Sequence, residues 1–384
     1  MSDRFVSFLL FSRWACALLA LVYHLRFLQL VGYEAVQAKT GLETAFYFLT
    51  GYGHEWFAVF FVLDGIVAGL ILRRRPAAAI AHLGALYRIL LPALALGLAC
   101  DSAGFRFFNQ SGVYTAYPDF STLTLGTTPL LGNLFMLQPF AVPTFGSNGM
   151  LYLLSYLFWS FVLLSLLVRA AALGVARGRF CQGLLLAALL LLMPAQFLQW
   201  AAIWLAGVAV AVLGDARRLR PSLPVAGTGF IAALLLSRVV GSNTGLLPAP
   251  LGAWLVQSKY LLVGIGFAAV ALALYPPRPT HAPAGAERWI ERAIGLGDGR
   301  AGQLASFTFF GHFPLMMLLA ACGAALLEQP LRQQPTAAAY AGLLLLVLVC
   351  AAASAAVAWA SGAAIDRLQA NAMLSLLPPK GPRA

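Results

Sequence analysis

Long apolar runs separated by short polar stretches make up most of the chain. A membrane-spanning helix needs about 20 apolar residues, within a range of about 17–25. Ten segments are candidates: 8–30, 55–72, 78–99, 149–168, 180–194, 197–213, 223–241, 254–275, 304–327 and 337–361. The second reaches full length only if it extends into 44–54. Between the fifth and sixth lies only Met193-Pro194-Ala195-Gln196, which fits either a hairpin or one broken helix. The first run is too long for a cleaved signal, carries Arg13 and His24, and has no small-residue cleavage site after it. The pattern predicts an all-α, polytopic bundle of about ten spans. One transmembrane domain covers 1–375, followed by a short tail at 376–384.

Composition excludes a soluble alternative. Of 384 residues, 61% are apolar and 10% charged, against roughly 25% charged in a soluble domain. Mean hydropathy is +0.83. The net charge of +12, taken alone, suggests nucleic acid, but its placement argues against that. Seventeen basic residues fall in the termini and the loops after even-numbered spans. Only Lys39, Arg106 and Arg332 follow odd-numbered ones. Basic loops stay in the cytoplasm, so both termini are expected there, and the partner is a lipid bilayer rather than nucleic acid. The five cysteines are scattered in or at the ends of spans without a CxxC pair, so neither a disulfide framework nor a metal site is expected. Two loops are long. Residues 100–148, on the outer side, are rich in Gly, Ser, Thr, Pro and aromatics. Within 276–303, on the inner side, segment 285–294 has helical charge spacing and is expected along the membrane interface. No internal repeat is visible, which weakens an inverted-repeat transporter.

A charge inside a span costs at least ~2.5–3.5 kcal/mol and needs a reason. His24 lies ~9 Å and Asp64 ~13 Å from the outer face at the helical rise. Asp64 is the one acid inside a span. Similar depth on neighbouring spans makes a His24–Asp64 pair the expectation, the carboxylate fixing the imidazole tautomer. Arg13 lies ~16 Å nearer the cytoplasm than His24, and Arg88 is mid-span in the third run. An acid, a histidine and deeper arginines suggest a tunnel that receives an anion from inside. Plainer roles compete: a backbone-bonded His24, snorkelling Arg13 and Arg26, and Arg88 as a buried ion-pair partner. Arg73–Arg75, Arg238 and Lys259 read as rim anchors. Gly297–Gly302 fits GxGxxG but has no strand before it, which excludes a dinucleotide fold. Gly65 and Gly69, four apart, allow close helix packing.

Five stretches, taken in order, resemble a known family. Arg13 and His24 form R-x10-H. Phe60-Phe61-Val62-Leu63-Asp64-Gly65 is similar to FFxxSG, and Tyr87-Arg88-Ile89-Leu90-Leu91-Pro92 to an arginine-and-proline motif. Phe145 to Trp159 resembles FGSNGPLWSLSYEFW, and Ser306 to Pro314 resembles SYxxYLxHxP. Order and spacing resemble the acyltransferase-3 family of integral membrane proteins. These have about ten spans and transfer acyl groups, often acetyl, to cell-surface carbohydrates. The chain departs from the pattern at several positions. Asp64 stands for the Ser of FFxxSG. Tyr152, Leu153 and Leu157 stand for the Trp, first Ser and Glu of WSLSxE. Paired arginines are reduced to Arg88. Leu157 lies ~12 Å deep, close to the depth of Asp64, so Asp64 is expected to supply the acid function that Leu157 lacks.

The resemblance implies acyl-CoA, acetyl-CoA in the simplest case, as donor from the cytoplasm. Arg13 and Arg88 would attract its phosphates or polarise the thioester, and His312 would line the donor path. His24 would act as general base or carry the acyl group, with Asp64 orienting it. Protonated His24 cannot accept a proton, so activity is expected to fall on the acid side of its pKa. Aromatics of loop 100–148 would hold a carbohydrate or lipid-linked sugar at the outer mouth. The expected location is the plasma membrane, the inner membrane in a bacterium. A glycan exporter and a catalytically impaired relative are the competing classes.

Overall fold

A computed structural model describes residues 2–116, 124–171, 175–216, 219–243, 248–276, 288–328 and 330–375. The expected tail at 376–384 and residues 285–287 of the loop segment lie outside the described residues. Among these residues the regular structure is helical, and no strand forms beyond an isolated bridge between Leu30 and Gln333. Short turns aside, the helices are α1 (Ser2–Gln29), α2 (Gly41–Leu49), α3 (Gly53–Arg74), α4 (Ala79–Phe108), α5 (Thr127–Leu134), α6 (Leu151–Ala171) and α7 (Val175–Leu192). They continue with α8 (Ala195–Leu213), α9 (Leu223–Asn243), α10 (Ala249–Leu274), α11 (Arg288–Asp298), α12 (Arg300–Leu326) and α13 (Ala337–Ser375).

Every apolar run read from the sequence falls on one of these helices. Among the described residues, eight segments are long and apolar enough to cross a membrane. Outward faces carry Phe11, Ile80, Leu191, Val225, Ile231 and Leu344, all exposed, where lipid rather than water is the fitting neighbour. The chain is a multi-pass membrane protein. Residues 175–213 form two helices, broken at Met193 and at Pro194, whose backbone is extended. α7 packs on α6, whereas α8 packs on α3. The second run is not one long tilted helix. Thr40 caps α2 with Glu43 in a capping box, and the chain turns at Thr50–Tyr52 before α3 begins.

α3 is apolar all round and buried all round, as a helix at the centre of a bundle must be. It touches α1, α8, α10 and α11. Its closest neighbour is α8, and small residues explain why. A Cβ at Gly65 would collide with the Trp204 carbonyl, and one at Gly207 with that of Val62. Gly65 and Gly69 thus serve the close packing their spacing suggested.

A group of basic residues gathers at one end of the bundle and is engaged there. Arg73 and Arg74 pair with Asp215, and Arg75 pairs with Glu291 at 2.6 Å. Arg73 also donates to the α8 carbonyls of Ala211 and Val212. Arg292 pairs with Asp3. The expected interfacial segment is α11, held at this end by those two ion pairs. Arg73–Arg75 are therefore more than plain anchors, since they lace α3, α8 and α11 together. This end is called the basic end below, and the opposite one the far end.

Candidate functional site

His24 sits near the far end of α1, half-buried, and its partner is not the expected acid. Its Nδ1 lies 2.9 Å from Nε2 of His312 on α12. The other His312 nitrogen, Nδ1, lies 2.7 Å from the Thr308 carbonyl one turn back. A carbonyl only accepts, so the proton is on His312 Nδ1. His312 Nε2 is then an acceptor in the neutral ring, and His24 Nδ1 donates to it. That assignment follows from the bonding pattern, and it leaves His24 Nε2 with an open lone pair. The rings stack at 5.1 Å, with Phe57 and Phe313 packed round them.

Asp64 lies elsewhere. Its Oδ2 accepts from Trp204 Nε1 at 2.9 Å, and its Oδ1 is 3.9 Å from Arg13. His82 of α4 places Nε2 3.9 Å from Asp64 Oδ2. The expected His24–Asp64 pair is therefore replaced by two separate sites. Arg13 is buried and committed. It donates to the Leu296 carbonyl at 2.8 Å and to Ser306 Oγ at 3.3 Å, and its guanidinium lies over the Phe60 ring. It holds α1, α3, α11 and α12 together rather than presenting a bare cation to an incoming phosphate.

A small cavity joins Arg13, Asp64, His82, Gln303, Ser306 and Leu157. Leu157, at the position where the resembling motif has glutamate, thus faces the same space as Asp64. Gln303 also borders a second cavity, of about 100 Å³, lined by Arg88, Arg300, Phe307 and Trp359. Polar groups accordingly run from Arg88 and Arg300 through Gln303 to Asp64. There the run stops. Phe60 stacks on Phe309 at 4.2 Å, and Phe57 and Phe310 pack on the same pair. All four are buried. The expected tunnel is a polar pocket toward the basic end, called the inner region below, and a histidine pair toward the far end, called the outer region, with a phenylalanine partition between them.

The described end of loop 100–148, residues 133–148, is latched into the bundle. Phe145 N–H donates to Asn133, and Ser147 donates through both N–H and Oγ–H to Asp101 at 2.7 and 2.6 Å. Gly146 takes φ +67, where a Cβ would also strike Asp101. Pro314 lacks an N–H, so the Phe310 carbonyl four residues earlier has no helical partner. Asn148 Nδ2 donates to it at 2.9 Å. The stretch read as a family motif is, in this geometry, a fastening between α4, α12 and the start of α6.

Sequence reasoning missed His82, Glu55 and Asp101. Asp64 is not the one buried acid, since Glu55 and Asp101 are 4% and 0% exposed. α4 runs to Phe108, past the apolar run that ended at 99, which carries Asp101 into the bundle. Glu55 pairs with Lys259 at 3.6 Å and accepts from Ser237 at 2.5 Å, so Lys259 is an ion-pair partner rather than a rim anchor. His82 lies within the third apolar run and carries no formal charge, so charge placement does not single it out.

Comparison with models of protein families, with curated proteins and with solved structures finds no match.

Proposed function

We propose that this chain is a membrane O-acyltransferase. It moves an acyl group, acetyl in the simplest case, from cytoplasmic acyl-CoA to a hydroxyl of a cell-surface or lipid-linked carbohydrate. The observation that carries the reading is the His24–His312 pair. A histidine whose Nδ1–H is held by a neutral second histidine presents Nε2 as a base, at the far end of a bundle whose other end is basic. The finer topology belongs to the same proposal. Ten spans place both termini and the basic end in the cytoplasm, within the plasma membrane, the inner membrane of a bacterium. Donor and acceptor then approach from opposite sides.

Arg88 and Arg300 border the cavity nearest the cytoplasm and suit the phosphates of the donor. The thioester arm follows Gln303 past Asp64 and displaces the phenylalanine partition. His24 Nε2 takes the proton of the acceptor hydroxyl as its oxygen bonds to the thioester carbonyl carbon. The C–S bond breaks, the CoA sulfur leaves with the pair, and protonated His24 returns the proton to it. His312 holds the His24 tautomer. Asp64 belongs to the inner site, where it neutralises Arg13 and takes the place of the glutamate that Leu157 lacks.

The test is mass spectrometry of envelope glycans from cells with and without the protein. Loss of an acyl mass with an unchanged amount of glycan supports the enzyme, and His24→Ala should reproduce it. Loss of the glycan itself would overturn the reading in favour of export. Unaltered glycan would overturn it in favour of a non-catalytic role.

A further inference from the structure

His82 is a buried histidine that the acyl-transfer steps leave idle. It lies on α4 at 1% exposure, and both of its ring nitrogens are buried without a hydrogen-bond partner. A neutral imidazole carries one donor and one acceptor, and buried polar groups are nearly always met. The surroundings do not call for a polar side chain. The ring packs on Phe161 of α6 at 4.6 Å, and Leu86, Ile89, Leu157 and Phe310 form the apolar wall of the cavity that His82 lines. At about 10 Å³ that cavity has room for about one water and nothing larger. A ligand that reaches His82 is therefore a proton, or the water that carries it.

The neighbouring groups suit the charged form of the ring. Asp64 Oδ2 lies 3.9 Å from His82 Nε2, too far for a hydrogen bond from the neutral ring and near enough for an ion pair with the protonated one. The carboxylate is already shared. Trp204 Nε1 donates to the same oxygen at 2.9 Å, and Arg13 lies 3.9 Å from the other. Arg13 tolerates a smaller share, because the Leu296 carbonyl and Ser306 Oγ also accept from it and the Phe60 ring faces its guanidinium. Among the described residues, the charged groups facing His82 are these two, Asp64 from α3 and Arg13 from α1. α12 contributes Gln303, Ser306 and Phe310 to the cavity and α6 contributes Leu157, while α11 and α13 contribute no side chain to it. Gln303 also borders the cavity that holds Arg88 and Arg300, whereas the phenylalanine partition closes the opposite side. The way in is from the basic end.

We propose that His82 is a proton-binding site inside the bundle. One proton from water adds to one ring lone pair, the charged ring turns an N–H onto Asp64, and the carboxylate loosens its bond to Trp204. Asp64 and Arg13 together join α1, α3, α8, α11 and α12, so a single proton acts on the packing of five helices through one carboxylate. The proposal is independent of acyl transfer, which the glycan mass spectrum tests on its own.

Trp204 is the reporter, since its indole N–H shares the carboxylate. The full chain, grown with fluorotryptophan, is placed in nanodiscs of phosphatidylethanolamine and phosphatidylglycerol. Fluorine NMR is recorded between about pH 5 and 9, a range that brackets an ordinary histidine. Trp204→Phe identifies the Trp204 line among those of the eight tryptophans. In the wild type that line should shift by more than its own width along a single-proton curve. In His82→Gln, which keeps a neutral polar side chain and removes the titrating ring, it should stay within its width over the whole range. A wild-type line that does not titrate would overturn the proposal. A line that titrates unchanged in His82→Gln would overturn it too, because the proton would then sit on Asp64. If His82→Gln does not fold, wild-type protein labelled with nitrogen-15 in its histidine rings takes its place. One of the five histidines should then gain its second N–H at the midpoint of the Trp204 curve, and the absence of any such histidine would overturn the proposal.

Discussion

The two polar regions of this bundle solve the cost of burying polarity in opposite ways. At the inner region, charge is met by charge and by directed bonds: Arg13 with Asp64, Leu296 and Ser306, and Asp64 with Trp204. At the outer region, the polar contact is between neutral rings, one bond joining His24 to His312 with Phe57 and Phe313 packed round them. A buried charge without a partner costs several kcal/mol, whereas a neutral hydroxyl costs ~1–3. The inner site therefore has to be closed to be stable, and the outer site can stand open for a substrate. Substitutions that confuse these two roles should separate stability from activity.

The largest effect is expected at His24. His24→Ala removes the base and should lower acyl transfer by about 10²–10⁴-fold, read as CoA release in the presence of glycan acceptor. The thermal midpoint should hardly move, since one hydrogen bond of a half-buried ring is lost. A large drop in midpoint would make His24 structural instead. Asp64→Ala should behave the other way. It leaves buried Arg13 without its counter-charge and Trp204 Nε1 without its acceptor, at a cost of about 3–5 kcal/mol, seen in unfolding of the solubilised protein. Leu157→Glu added to Asp64→Ala returns a carboxylate to the same cavity and should recover most of both losses. Leu157→Glu alone places two carboxylates there and should be worse than wild type. Failure of the double variant to recover, in a folded protein, would sink the idea that Asp64 stands in for the absent glutamate.

How much of this was readable in advance depends on which physics set each feature. Apolar length located the helices, because a bilayer imposes it on every span. The helical rise of about 1.5 Å per residue placed His24 and Asp64 at similar depths, but depth is one coordinate of three. Which way each side chain turned about its helix axis was not legible. For that reason Asp64 faces α8 and α4 while His24 faces α12. His312 was singled out, yet its bond to His24 depends on the axial match of two helices 288 residues apart in sequence. Asp101 lay beyond the apolar run that ends at 99, although backbone bonding carries the helix on to Phe108, and Glu55 stood at the first position of its run and read as a rim residue. The phenylalanine partition is ordinary apolar sequence until two helices bring Phe60 and Phe309 face to face.

The partition itself can be used to sharpen the comparison. Phe60→Leu keeps most of the volume and should cost less than ~1.5 kcal/mol. It removes the ring that stacks on Phe309, so the barrier between the inner and outer regions is lowered. Release of CoA from acetyl-CoA without any sugar acceptor should rise severalfold, because water now reaches the thioester. Unchanged acceptor-free release would show that the four rings do not separate the two regions.

The smallest expected effect bears on how the outer pair is held. Asn148→Ala deprives the Phe310 carbonyl of its donor and should destabilise the protein by about 1–3 kcal/mol. Pro314→Ala supplies a helical N–H to that same carbonyl, so in combination with Asn148→Ala it should restore the lost stability. The two changes should be non-additive, as expected of residues serving one acceptor. His312 lies two residues before Pro314, however, and a helix that no longer makes room for proline carries His312 to a different position. The double variant should therefore regain its thermal midpoint without regaining full acyl transfer. If activity returned along with stability, the proline would be a mere cost in α12, and the alignment of His312 with His24 would owe nothing to it.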